Sequence, residues 1–138
     1  MELLLVLAII SIIFAMAIPN SEILLRMRER QELEELRRDL LFARNKAIVE
    51  ARNYYVYFNS NDNKYIIKHS ETSPAIKTKQ LQHGIKLDMD NIVSNFQFNK
   101  NARTGKSNTI FIRDRNNNRY KLTLTPATGR VELRLVGK

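Results

Sequence analysis

The stretch ELLLVLAIISIIFAMAIP, residues 2–19, divides this chain into two chemically different parts. Residues 3–18 are apolar apart from Ser11, whose hydroxyl can bond to a carbonyl of the preceding helical turn. The whole chain has 138 residues, which leaves enough for one further domain. The sequence therefore predicts an apolar N-terminal helix joined to a single polar head.

The acidic residue Glu2 distinguishes this stretch from a secretory signal. Signal peptides begin with cationic side chains, whereas residues 1–18 contain no Lys or Arg. Because a carboxylate in a bilayer is costly without a cation beside it, Glu2 predicts a cationic partner. A secreted basic domain with a cleaved signal remains the alternative, since Ala15-Met16-Ala17 fits the pattern that signal peptidase cleaves.

The apolar run is short for a membrane anchor. A helix over residues 3–18 would be about 24 Å long, against a hydrocarbon core of about 30 Å. A plain anchor would need a few more residues, and these could only precede Met1. We therefore expect the natural chain to begin upstream of this residue.

The combination of Glu2, the run ELLLVLAIIS and Pro19 closely resembles the N-terminal helix of type IV pilins and of the pseudopilins of type II secretion. Gly129-Arg130-Val131 and residues 98–112 also resemble the head of FimT/GspH-like minor pilins. The resemblance implies a non-enzymatic subunit that assembles with sister pilin or pseudopilin subunits. In the assembly Glu2 would pair with the N-terminal amine of a neighbour, and Pro19 would bend the helix.

The same resemblance implies a location and a processing step. Prepilin peptidase would remove a leader, N-terminal methylation would follow, and the helix would be held in inner-membrane or cell-membrane lipid with the head outside the cytoplasm. The subunit would then enter a type IV pilus or a type II secretion pseudopilus. Glu2 and Pro19 are the assembly residues that this family implies.

Residues 20–53 have the pattern of an amphipathic continuation of the helix. Apolar residues recur at spacings of three and four, which is typical of a helix packed along one side. They are Leu33, Leu36, Leu40, Ala43, Ala47, Ile48 and Ala51. We expect the apolar helix of residues 1–19 to continue into this segment as one curved helix from near Glu2 to about Asn53, with Glu35 and Asp39 on its solvated side.

Residues 54–138 change to short alternating segments separated by turns rich in Asn, Gly and Pro, a pattern typical of antiparallel strands. The predicted strands are residues 55–58, 64–69, 85–89, 96–98, 109–113, 119–125 and 130–136. In the last two, Tyr120, Leu122, Leu124, Val131, Leu133 and Leu135 are expected to face inward, with a bulged connection at Gly129. The predicted fold class is α+β, with a long N-terminal helix packed on an antiparallel β-sheet head.

The positive charge is concentrated in the last third of the chain. The net charge is +9, and residues 96–138 carry ten Lys or Arg against two acidic residues. Possible nucleic-acid-binding residues are Arg113, Arg115, Arg119, Lys121, Arg130 and Arg134. The alternative function is therefore a DNA-binding subunit of a competence or DNA-uptake pilus. Cations on an edge strand can also simply prevent unwanted strand pairing.

No residue pattern indicates an enzyme or a cofactor site. The chain has no cysteine, and its four glycines form no phosphate-binding loop. His69 and His83 are not in a metal-site or triad spacing and are expected on the surface. Asp88 and Asp90 alone would make a poor cation site. We expect no catalytic residue, no metal and no cofactor.

Overall fold

The computed structural model describes residues 2–17, 21–89, 93–101, 103 and 108–137. Two helices open the chain, α1 (Glu2–Ala17) and α2 (Ser21–Val49). Pro19 lies outside the described residues, and so does the bend predicted there. Helix α2 ends four residues before the predicted Asn53, because Ala51 adopts a left-handed φ of 48°. The amides of Ala51 and Arg52 bond back to carbonyls of the last turn, which caps it.

One side of α2 forms part of the hydrophobic core. Five of the predicted apolar positions are buried to within 5% of full burial, and these are Leu33, Leu36, Leu40, Ala43 and Ala47. The prediction is wrong for Ile48 and Ala51, which are exposed. Ile48 is a quarter-turn round the helix from Ala47, and Ala51 lies beyond the helix end.

Eight strands follow the helices and form two four-stranded antiparallel sheets. The strands are β1 (Tyr54–Asn59), β2 (Lys64–Lys68), β3 (Lys77–Gln80), β4 (Lys86–Asp88), β5 (Val93–Phe98), β6 (Asn108–Arg113), β7 (Arg119–Leu124) and β8 (Val131–Gly137). The strand orders are β3-β2-β1-β5 and β4-β6-β7-β8. The α+β prediction is confirmed, with the antiparallel head divided between two sheets.

Both sheets contribute alternate side chains to one core that α2 covers. The first sheet buries aromatic and aliphatic residues, and the second buries only aliphatic ones. The buried residues of the strands are Tyr54, Val56, Phe58, Tyr65, Ile67, Phe96 and Phe98 in the first sheet, and Leu87, Ile110, Ile112, Leu122, Leu124 and Val131 in the second. This alternation is why the period-two pattern located seven of the eight strands.

The hairpin of β7 and β8 differs from its prediction at the end away from the turn, where β7 begins and β8 ends. Gly129 has a φ of 60° and its amide bonds to the Thr125 carbonyl, so it closes the turn as expected. The register shift lies elsewhere, between the Arg119–Gly137 and Tyr120–Leu135 pairs. Leu135 is 61% exposed, because α2 covers only the beginning of β8. The prediction that Leu135 faces the core is therefore wrong.

Candidate functional site

Helix α1 exposes apolar side chains over its described surface. Between residues 2 and 15 every side chain is exposed, and the large apolar ones are Leu3, Leu4, Leu5, Val6, Leu7, Ile9, Ile10, Ile12, Ile13 and Phe14. The Ser11 hydroxyl donates a 2.8 Å hydrogen bond to the Leu7 carbonyl, so it adds no unpaired polar group. A helix that is apolar all round needs lipid or other helices to cover it.

Glu2 lies in the first turn of α1 and its side chain is exposed. No cation of the described residues forms an ion pair with it. The partially positive N-terminus of a helix helps to stabilise a carboxylate at this position. Glu2 is thus the single acidic group on an otherwise apolar helix. Neither described helix combines the length and the apolar character that a bilayer span requires.

A row of four carboxylates runs along α2, where the sequence predicted a solvated face. The row consists of Glu29, Glu32, Glu35 and Asp39, of which all but Glu35 are buried. The prediction that Asp39 lies on the wet side is wrong, and Glu35 is half-buried, because Lys77 and Lys79 of β3 contact these two carboxylates. The spacing of these carboxylates, three, three and four residues, indicates one helix face. Their cationic partners are distant in sequence, so the spacing alone could not show that this face is covered.

Asp39 and Glu35 attach α2 to the first sheet. The Tyr65 hydroxyl donates a 2.5 Å hydrogen bond to Asp39, and the Lys77 ammonium lies 2.7 Å from the same carboxylate. Lys79 donates to Glu35 at 2.8 Å, and this hydrogen bond holds the pKa of Glu35 below its usual value although burial opposes it. Burial also disfavours the charge of Lys77, but its hydrogen bonds to Asp39 and Glu35 raise its pKa.

Glu32 contacts the connection between β3 and β4, and Glu29 contacts the turn between β6 and β7. The Gln82 amide donates a 2.7 Å hydrogen bond to Glu32, and His83 lies 3.6 Å from its other oxygen. Glu29 forms an ion pair of 3.4 Å with Arg115. The carboxylate row therefore orients the head on α2, and sequence reasoning missed this role.

The second sheet brings together four of the six predicted nucleic-acid-binding residues. Arg113 and Arg119 are paired across β6 and β7, and Lys121 is opposite Arg134 across β7 and β8. All four are exposed. We name this outer surface, defined by Arg113, Arg119, Lys121 and Arg134, the basic face.

Carboxylates neutralise much of the basic face. Asp88 pairs with Arg113 at 2.9 Å and with Arg119 at 3.0 Å, and the Arg119 guanidinium lies 4.0 Å from the ring centre of Phe111. Arg134 pairs with Glu132 at 2.6 Å. These contacts lower the positive potential that phosphates would meet.

The two remaining predicted cations lie apart from the basic face. Arg115 is directed to Glu29 on α2. Arg130 precedes β8 and lines a groove with Glu34 and Arg37 of α2. Among the described residues, neither Arg130 nor Lys121 has a carboxylate within ion-pair distance. The six predicted positions therefore form no single continuous surface.

The described residues hold no cluster of three or more His, Asp or Glu arranged for a metal ion. Asp88 is occupied by two arginines, and Asp90 lies outside the described residues. A cleft of about 450 Å³ lies between α2 and the turn before β7. It is lined by Arg26, Glu29, Arg30, Leu33, Asp114, Asn116, Asn118 and Tyr120. The oxygens of Asp114 there accept hydrogen bonds from Asn118, so they serve the turn.

Similarity to known proteins lies in the fold. No protein-family model matches the sequence, and no curated protein matches it significantly. The type IV minor pilin FimU of Pseudomonas aeruginosa has a similar structure, with a TM-score of 0.63 and 17% identity over 79% of this chain and 90% of FimU. The minor pseudopilin EpsH of the Vibrio cholerae type 2 secretion system gives a TM-score of 0.57 and 13% identity, over 76% of this chain and 94% of EpsH. This chain therefore has a pilin-like fold.

Proposed function

We propose that this protein is a non-enzymatic minor pilin or pseudopilin subunit, which its N-terminal helix holds in the membrane before assembly into a pilus or pseudopilus. The pilin-like fold of the head supports this proposal. The exposed apolar surface of α1 supports it further, because such a surface is stable only in lipid or against other helices.

The observation that carries the proposal is the position of Glu2 in the first turn of this apolar helix. A single carboxylate among apolar helices stabilises only those arrangements that bring a cation to it. Sister subunits would supply the cation as an N-terminal amine, and Glu2 would thereby fix the register of the helices. Pro19 is proposed to bend the helix in the same assembly.

Incorporation of Glu2→Ala into filaments tests this role. We expect the variant to accumulate in the membrane fraction but to enter sheared filaments at least about tenfold less, which corresponds to the loss of ~1.4 kcal/mol of pairing energy. The matched control is Glu71→Ala, because Glu71 is an exposed acid in a loop of the head. Equal incorporation of Glu2→Ala and wild type would contradict the proposal.

The mature N-terminus distinguishes this function from that of a secreted basic domain. Cleavage by prepilin peptidase predicts a mature, methylated terminus upstream of Glu2, with the head outside the cytoplasm. Cleavage by signal peptidase predicts a terminus after Ala17. Mass spectrometry of the protein from its native cell separates the two.

DNA binding by a subunit of an uptake pilus stays a prediction. The ion pairs of Asp88, Glu132 and Glu29 occupy four of the six cations on which it was based. It would add to the assembly role, since the basic face and α1 are different parts of the chain.

A further inference from the structure

The first two turns of α2 expose an apolar stripe that the core does not use. Ile23, Leu24 and Met27 are 58%, 46% and 53% exposed. At 100° per residue these three side chains fall within about 100° of the helix surface. The buried Leu36 and Leu40 lie roughly on the opposite side, so packing of the head does not account for the stripe.

Three arginines border this stripe. Arg26 and Arg30 follow it on one side of the helix and Arg28 on the other, and all are exposed. Arg26 has a weak 3.8 Å pair with Glu22, in which both side chains are more than half exposed. The described carboxylates make no ion pair with Arg28 or Arg30. We name Ile23, Leu24, Met27, Arg26, Arg28 and Arg30 the collar.

We propose that the collar is an interfacial site for anionic lipid, which seats the beginning of α2 on the membrane surface while the subunit awaits assembly. Apolar residues flanked by arginines on one helix face are the pattern of helices that lie in the headgroup region. Arginines pair with lipid phosphates there, and their aliphatic stems extend the apolar contact.

Charge and position favour lipid over another protein surface. Two copies of the collar would repel one another, because each presents three arginines. The collar also follows the apolar α1 after residues 18–20 only, so a lipid-embedded α1 would keep it near the headgroups. The inference rests on the proposed membrane-held state and adds a lipid preference to it.

The absence of tryptophan from the sequence allows a single-site probe. The full chain carrying Met27→Trp is reconstituted into phosphatidylglycerol or phosphatidylcholine vesicles, and quenching by brominated lipid is measured. We expect stronger quenching and a shorter emission wavelength in phosphatidylglycerol, both reduced by salt. Adding Arg26→Gln, Arg28→Gln and Arg30→Gln should lower the docking equilibrium roughly a hundredfold, at about fivefold per arginine.

Two controls separate the possible failures. Arg37→Gln, Arg38→Gln and Lys46→Gln remove the same charge further along α2 and should leave quenching in the Met27→Trp background unchanged. A Phe14→Trp variant reports whether α1 itself enters lipid, as the proposed function requires.

Each outcome decides one of the two proposals. If the Phe14→Trp variant is quenched while the Met27→Trp variant is not, the collar proposal is wrong and membrane attachment stands. If the Phe14→Trp variant is not quenched, the proposed membrane-held state is wrong, and the collar proposal that rests on it is wrong as well. Equal quenching of the Met27→Trp variant in both lipids overturns the lipid preference. A short-wavelength emission that appears without vesicles and grows with protein concentration overturns the collar proposal in favour of a second copy.

Discussion

The hydroxyl of Tyr65 on β2 donates a 2.5 Å hydrogen bond to Oδ2 of Asp39 on α2, and both residues are buried. Burial raises the pKa of Tyr65, and the bond to Asp39 raises it further. A carboxylate that loses a donor in such a place bears an uncompensated desolvation cost. This contact therefore connects the first sheet to the helix, and removing only the Tyr65 hydroxyl would leave the buried Asp39 carboxylate without one of its donors.

Tyr65→Phe should lower the free energy of unfolding by about 1.5–3 kcal/mol, the typical contribution of a hydrogen bond to a charged group. Tyr57→Phe is the matched control, because its hydroxyl is buried without a hydrogen-bond partner among the described residues. We expect this control to change stability by less than about 0.5 kcal/mol. Urea denaturation followed by circular dichroism measures both. Equal losses in the two variants would show that Asp39 does not depend on the Tyr65 donor.

Part of this arrangement could be predicted from the sequence and part could not. The apolar spacing of Leu33, Leu36 and Leu40 gave the core face of α2, because periodicity is a local signal. Strand β3 was missed because Lys77-Thr-Lys-Gln contains no large apolar side chain. Its lysines are explained only by Glu35 and Asp39, which are about forty residues away in sequence.

For the basic residues, the sequence located the cations but did not show which carboxylate pairs with them. Local composition identified Arg113 and Arg119, and pairing of β6 with β7 does bring them together. Asp88 neutralises both, and its position beside them follows from the antiparallel pairing of β4 with β6. A charge count along the sequence omits such a partner, so it overestimates the local potential.

Stability should decrease at alkaline pH in a way that depends on Tyr54. Burial, and then the hydrogen bond to Glu50, raises the pKa of Tyr54 from 10 to about 12. Between these pH values the native state keeps a proton that the unfolded chain has lost. The free energy of unfolding therefore falls as the pH rises from about 10 towards 12, whereas below pH 10 this contribution is fully present.

The variant Tyr54→Phe should make that alkaline decline shallower. Urea denaturation at pH 8, 10 and 11 gives the slope of the free energy of unfolding against pH. The difference in slope between the variant and wild type separates the contribution of Tyr54 from that of lysines, which titrate in the same pH range. Tyr55→Phe is the control, since among the described residues the Tyr55 hydroxyl accepts only a long 3.4 Å bond from Gln97. An unchanged slope in Tyr54→Phe would rule out this source of alkaline instability.

Gly84 lies where the connection between β3 and β4 approaches the turn after β6. It has a φ of 87°, and a Cβ added there would lie 2.8 Å from Cβ of Arg115. Gly84→Ala should therefore lower the free energy of unfolding by about 1–3 kcal/mol through backbone strain and crowding. Gly137→Ala meets no atom within 4 Å and should leave the melting temperature almost unchanged. Similar melting temperatures for both variants would contradict the close approach.

The DNA-binding prediction can be made quantitative from the ion pairs. If only Lys121 and Arg130 are available to phosphates, the slope of log affinity against log salt should be about −2, against about −5 for six free cations. Lys121→Gln with Arg130→Gln should then weaken binding of the detergent-solubilised chain to duplex DNA in a fluorescence anisotropy titration. Arg113→Gln with Arg119→Gln is the charge-matched control and should leave the slope nearly unchanged, because Asp88 already holds both guanidiniums. A slope near −5 would mean that DNA displaces these carboxylates, and binding that is absent at low salt would remove DNA as a partner.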